Sequence, residues 1–221
     1  MKDVLIALDF DGLLINSYKL LERTFLEYNL DLGEEERFKN RRKFLKYLGG
    51  GKEWIPNLVK FTLPKKRHLI ENLTEKYREE GVVYKEFIPF LNSCIQNQST
   101  HVGVISRNFT MEPGITIRKV LRNSEIDEKN LDFVIPLPIG ASKTDVLKAM
   151  NTTRYKTKIY TGDEISDYKA GKASDYSMYI ASYGFDNKER LQHKGGVDDL
   201  QIFETPYRLV NALVAAQNNQ C

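Results

Sequence analysis

The chain has 221 residues, 41% of them hydrophobic, enough to bury a full core as one domain or as a domain with an insertion. Its 33 basic and 30 acidic residues nearly cancel to a formal charge of +3, which favours no particular partner. Basic clusters from Arg37 to Lys46 and at Lys65-Lys66-Arg67-His68 read as solvated helix faces with no nucleic-acid motif around them, so nucleic acid is not expected as a partner. Cys94 and Cys221 build neither a disulfide framework nor a metal-ligand spacing. The apolar opening is too short for a membrane span or a signal peptide, and acids interrupt it. A reducing cytoplasm is the expected location, with no membrane partner.

In chain order, Leu5-Ile6-Ala7-Leu8 reads as a buried strand ending in Asp9-Phe10-Asp11-Gly12. Alternate residues of a strand point the same way, so Asp9 and Asp11 can converge at its mouth, where Gly12 permits a sharp turn. Asn16 or Ser17 caps a helix starting near Tyr18, and a second helix spans about Glu34 to Leu48. Gly49-Gly50-Gly51 breaks that pattern, a short apolar segment from Trp54 to Phe61 follows, and Pro64 introduces a helix to about Glu80. Residues 17–82 thus show helical periodicity and no convincing strand.

From Gly81 the pattern alternates. A helix from Lys85 to Gln96 precedes a strand from His101 to Ser106. A helix from Pro113 to Asn123 precedes a strand from Asp132 to Ile135, and a helix from Ser142 to Met150 precedes the strand Lys158 to Thr161. A helix from Ile165 to Ala173, a strand from Tyr176 to Ile180 and a closing helix from Pro206 to Gln217 complete the reading. Such alternation implies an α/β fold with a parallel sheet and helices on both faces. Ligands of these sheets bind beyond the carboxyl ends of the strands. Those ends gather Asp9, Asp11, Ser106 and Asp163, with Asp167 one helical turn past Asp163 and Lys143 at a helix start. Four acids, one hydroxyl and one amine at one rim are hard to obtain from packing alone.

Leu8-Asp9-Phe10-Asp11-Gly12, Val104-Ile105-Ser106-Arg107-Asn108, Lys143 and Gly162-Asp163-Glu164-Ile165-Ser166-Asp167 resemble, in order, the four motifs of the haloacid dehalogenase-like superfamily of phosphohydrolases. The helical insert is similar to the cap of its phosphoglycolate phosphatase-like branch. The resemblance implies a Rossmann-like core over residues 1–16 and 83–221 and a helical cap domain over 17–82. It implies hydrolysis of a small phosphate monoester, such as a sugar phosphate or a phosphoglycolate-like metabolite, through an aspartyl-phosphate.

By that resemblance Asp9 is the nucleophile, Asp11 the general acid and base, and Lys143 the charge that steadies Asp9 and the phosphoryl oxygens. Mg²⁺ is the implied cofactor, held by Asp9, Asp163 and the Asp11 backbone carbonyl, with Asp167 acting through water or holding the neighbouring ligands. Ser106 and the amides of Arg107 and Asn108 are implied to bind phosphoryl oxygens, and Lys52 of the cap loop to reach the leaving group. Two positions depart from the family pattern: Leu13 stands where threonine is usual, and Thr144 follows Lys143 where the branch commonly has proline. The alternatives are a phosphomutase of the same superfamily and a non-catalytic phosphate-binding regulator. A monomer or homodimer is expected.

Overall fold

The computed structural model describes residues 3–29, 32, 35, 63–138, 140–150 and 155–218. The helix expected over 34–48, the triple-glycine turn, Lys52 and the segment from Trp54 to Phe61 lie outside them.

Strand β1 (Val4–Leu8) is buried at every residue, as a strand covered on both faces must be. Helix α1 (Ser17–Leu26) starts where the Asn16 side chain accepts the Lys19 N–H at 3.4 Å. Helix α2 (Leu63–Glu80) returns the chain and packs on α1. Then follow α3 (Phe87–Gln96), β2 (Thr100–Ser106), α4 (Pro113–Asn123), whose proline occupies the first turn, and β3 (Phe133–Pro136). Helix α5 (Lys143–Met150) begins at Ser142, whose hydroxyl accepts the Asp145 N–H at 3.2 Å. The chain continues through β4 (Thr157–Gly162), α6 (Ile165–Lys172), β5 (Ser177–Ala181), α7 (Lys188–Gly195), a 3₁₀ turn (Asp199–Gln201), β6 (Ile202–Phe203) and α8 (Pro206–Asn218).

All strand pairings are parallel, in the order β3-β2-β1-β4-β5-β6. Strands β2 and β3 extend to one side of β1 and β4, β5 and β6 to the other, so the order reverses beside β1. A crevice opens at such a switch point, beyond the carboxyl ends of β1 and β4.

The alternation of β1 divides the interior. Val4, Ile6 and Leu8 join an apolar cluster with Leu21, Leu73, Phe87, Ile117 and Leu213, covered by α1, α2, α3, α4 and α8. Leu5 and Ala7 join a second cluster with Leu147, Tyr160, Ile165 and Leu191, covered by α5, α6 and α7. The expected parallel sheet with helices on both faces is therefore present. Two elements exceed the expectation, α7 and the two-residue β6. The loop at Tyr183-Gly184-Phe185 follows β5.

Gly103 sits in β2 where an added Cβ would lie 2.2 Å from the Phe133 carbonyl oxygen and 2.6 Å from its ring. Backbone cannot yield as a flexible side chain can. Gly103→Ala is expected to cost about 2 kcal/mol or more of unfolding free energy, read as a lowered urea midpoint at unchanged slope.

Candidate active site

Asp9 is the first residue past β1, and its amide still donates to the Thr161 carbonyl of β4 at 2.9 Å. That bond keeps the backbone in line as the side chain enters the crevice. The Asp9 Oδ1 accepts the Phe10 N–H at 2.8 Å, and Oδ2 accepts the Lys143 ammonium at 2.5 Å. The same ammonium donates to Asp167 Oδ1 at 2.7 Å. Lys143 is the first residue of α5, where the helix dipole disfavours a cation. The two carboxylates compensate it, and the side chain is buried.

Asp163 lies in the turn between β4 and α6. Its Oδ2 accepts the Phe185 N–H at 2.6 Å, whereas its Oδ1 is buried without a hydrogen-bond partner. Asp167 is the third residue of α6, so Asp163 and Asp167 are not successive turns of one helix. They converge because Asp163 reaches back from the turn. Asp167 also accepts the Tyr160 hydroxyl at 2.9 Å and, through Oδ2, the Glu164 N–H at 3.1 Å. One oxygen from each of Asp9, Asp163 and Asp167 lies within 4.8 Å of the other two, and all three residues are buried.

Three carboxylates and one ammonium leave two uncompensated negative charges if all are ionised. At such spacing each like pair costs about 3 kcal/mol or more at an effective dielectric of 20. The acids share Lys143 unequally. Burial would raise Asp167, but the charge and hydrogen bond of Lys143, with Tyr160, hold it below the usual range. Asp9, stripped of water and beside Asp167, is pushed up to about 7 despite Lys143. Burial, then the charges of Glu164, Asp9 and Asp167, lift Asp163 well above the usual carboxylate range. Although burial opposes its charge, Lys143 is held well above its ordinary value by Asp167 and Asp9. An unpartnered buried carboxylate oxygen, hard oxygen donors and excess negative charge suit a divalent cation such as Mg²⁺.

The space is shaped by absent side chains. Gly12, at φ +76°, and Gly184 would each place a Cβ within 2.3 Å of Asp163 Oδ2. Asp186, which sequence reasoning missed, accepts the Ile165 N–H at 2.8 Å and the Arg190 Nε–H at 2.5 Å, fixing the start of α6.

Asp11 stands beside this cluster with its own partners. Its Oδ1 accepts the hydroxyls of Ser17 at 2.6 Å and Tyr77 at 2.7 Å, and Oδ2 accepts the Asn108 amide at 2.9 Å. Burial raises its proton affinity against these three donors. Ser106, at the end of β2, has a buried hydroxyl with no hydrogen-bond partner. Arg107 is half-buried and points to Ser166 at 3.4 Å. Leu13 is fully buried in the apolar cluster, and its carbonyl accepts the Tyr183 hydroxyl at 3.0 Å. Asp9, Asp11, Ser106, Lys143, Asp163 and Asp167 thus share one rim, with Asn108 and Arg107 beside them. Lys52 lies outside the described residues. Tyr77 and Tyr160 also escaped sequence reasoning, because buried tyrosines in apolar patterns carry no signal for what their hydroxyls touch.

No protein-family profile matches the sequence, and no curated protein matches it. Solved structures do. A haloacid dehalogenase-like hydrolase from Streptococcus pneumoniae is 17% identical, with 96% of this chain and 98% of that one covered at a TM-score of 0.64. A protein assigned to the phosphoglycolate phosphatases from Lactobacillus delbrueckii is also 17% identical, covering 96% and 98%, at 0.60. CbbY from Rhodobacter sphaeroides, in complex with phosphate, is 16% identical, covering 95% and 96%, at 0.62. Sheet order, the placement of the acids at the strand ends and these likenesses agree: the chain has the haloacid dehalogenase-like fold.

Proposed function

We propose that the protein is a Mg²⁺-dependent phosphohydrolase that cleaves a small phosphate monoester through an aspartyl-phosphate on Asp9. The observation that carries this reading is the carboxylate of Asp9, aimed into the crevice from the central strand and held between the Phe10 amide and the Lys143 ammonium. One neighbour of the same fold described as a phosphatase, and another solved in complex with phosphate, support it.

The residues divide the work as follows. Asp9 attacks phosphorus, forming an O–P bond as the ester P–O bond breaks. Asp11 gives its proton to the departing oxygen and becomes a carboxylate. That carboxylate then takes a proton from a water molecule attacking phosphorus, and the Asp9–phosphorus bond breaks to release phosphate. Lys143 and the Ser106 hydroxyl hold phosphoryl oxygens during both steps, supplying charge and a hydrogen bond where negative charge gathers. Asp9, Asp163 and the Asp11 carbonyl, with Asp167 behind them, would hold Mg²⁺, which would supply the positive charge that lets a dianionic ester approach a carboxylate. The stretch 17–82 is read as a helical cap that closes over this rim and selects the leaving group, a small phosphorylated metabolite.

Hydrolysis of p-nitrophenyl phosphate is expected in Mg²⁺ and not in EDTA, with inorganic phosphate as the product. Asp9→Asn should lower turnover at least about a thousandfold without loss of fold; near-normal turnover by that variant sinks the assignment.

Asp163 offers an independent check. A carboxyl lifted in the folded state opposes folding increasingly as pH rises above its ordinary value of 3.8. In EDTA at neutral pH, Asp163→Asn is therefore expected to stabilise the protein by about 1 kcal/mol, seen as a raised melting temperature. Mg²⁺ at a hundred times its dissociation constant should add about 2.7 kcal/mol to the wild type and far less to this variant.

A further inference from the structure

The hydrogen bonds of Asp11 are unequal in kind. On Oδ2 the donor is the Asn108 amide, whose own Oδ1 accepts both the Thr110 N–H at 3.0 Å and the Thr110 hydroxyl at 2.5 Å. A backbone N–H can only donate, so the Asn108 amide cannot turn over, and Oδ2 of Asp11 is always an acceptor. Oδ1 instead meets two hydroxyls, and hydroxyls rotate to donate or accept. Ser17 Oγ already takes the Gly12 N–H at 3.3 Å as well as serving Asp11. The phenol of Tyr77 has no such backbone tether.

Tyr77 reaches this point from α2, 66 residues further along the chain, inside the stretch read as the cap. Its ring packs in the apolar cluster with Leu21, Leu73 and Val120, so its hydroxyl arrives on a rigid support. A phenylalanine would fill the same space, and core packing accounts for the ring alone. The hydroxyl, buried and directed at a carboxylate, is what needs a reason.

We propose that Tyr77 is a positioning residue for Asp11: its hydroxyl donates to Oδ1 and keeps that side chain in one orientation throughout the reaction, leaving the carboxyl proton free for the departing oxygen. This rests on the phosphatase reading, in which Asp11 first protonates the leaving oxygen and later takes a proton from water. A side chain released from Tyr77 would pivot about the single Asn108 bond and the Ser17 hydroxyl, and proton delivery to the leaving oxygen would suffer first.

Two aryl esters of similar size separate this role from a structural one. p-Nitrophenolate is a weak base that departs readily without a proton, whereas phenolate is a strong base and depends on the acid. With Mg²⁺ present, kcat/KM of Tyr77→Phe is expected to fall about tenfold more on phenyl phosphate than on p-nitrophenyl phosphate. Both esters are measured on the same sample, so any loss of folded protein cancels in the ratio. Equal losses on the two esters, or no loss on either, overturn the role of Tyr77 while the phosphatase reading stands. A wild-type protein that hydrolyses neither ester in Mg²⁺ overturns the phosphatase reading, and this inference with it.

Discussion

One ammonium shared by two buried carboxylates organises this molecule. Lys143 joins Asp9 at the end of β1 to Asp167 in the first turn of α6, linking elements that sequence separates by well over a hundred residues. Remove the charge and two anions face one another without water. Keep it and the site is still short of positive charge, because Asp163 stands by with an oxygen that nothing satisfies. The fold tolerates this deficit because the parallel sheet and its two apolar layers hold the strand ends in place. Binding a dianionic ester and a divalent cation together leaves the balance between them closer to neutral than either alone.

Around that pair much of the support comes from backbone N–H groups, which neither titrate nor wander. Backbone amides of Phe10, Glu164 and Phe185 each hold one carboxylate oxygen, and Asp186 ties the start of α6 to Arg190. Such bonds fix where each acid points before any ligand arrives, which is what effective positioning requires. Asp11 is treated differently. Its partners are side chains from three separate segments, so its orientation depends on how α1, α2 and the loop after β2 come together.

Much of the architecture was legible because the parallel sheet demands apolar runs and several of the helices carry proline, serine or asparagine at their starts. The acids and Lys143 were legible because each follows directly on a strand or opens a helix. What stayed hidden was set by tertiary contact. Helix α7 buries only Leu191 and shows no apolar stripe to betray it, and β6 is two residues long. Tyr77 and Tyr160 look like ordinary core residues along the chain. Asp186 reads as a loop acid until α6 is laid against it. Asp167 does converge with Asp163, but not as the next turn of one helix, since Asp163 belongs to the turn before α6.

The crowding against Asp163 has an evolutionary reading. Positions 12 and 184 sit on opposite stretches of chain, yet each leaves room for nothing larger than hydrogen beside the same carboxylate oxygen. Drift at position 12 would also strain a backbone at φ +76° and press on Phe185 of the first apolar layer, whereas drift at position 184 would shove that oxygen out of reach of its neighbours and meet nothing of the sheet or the apolar layers. A deep mutational survey scored for solubility would therefore accept many changes there that one scored for turnover rejects, and the gap between the two maps would outline the site without any ligand being known.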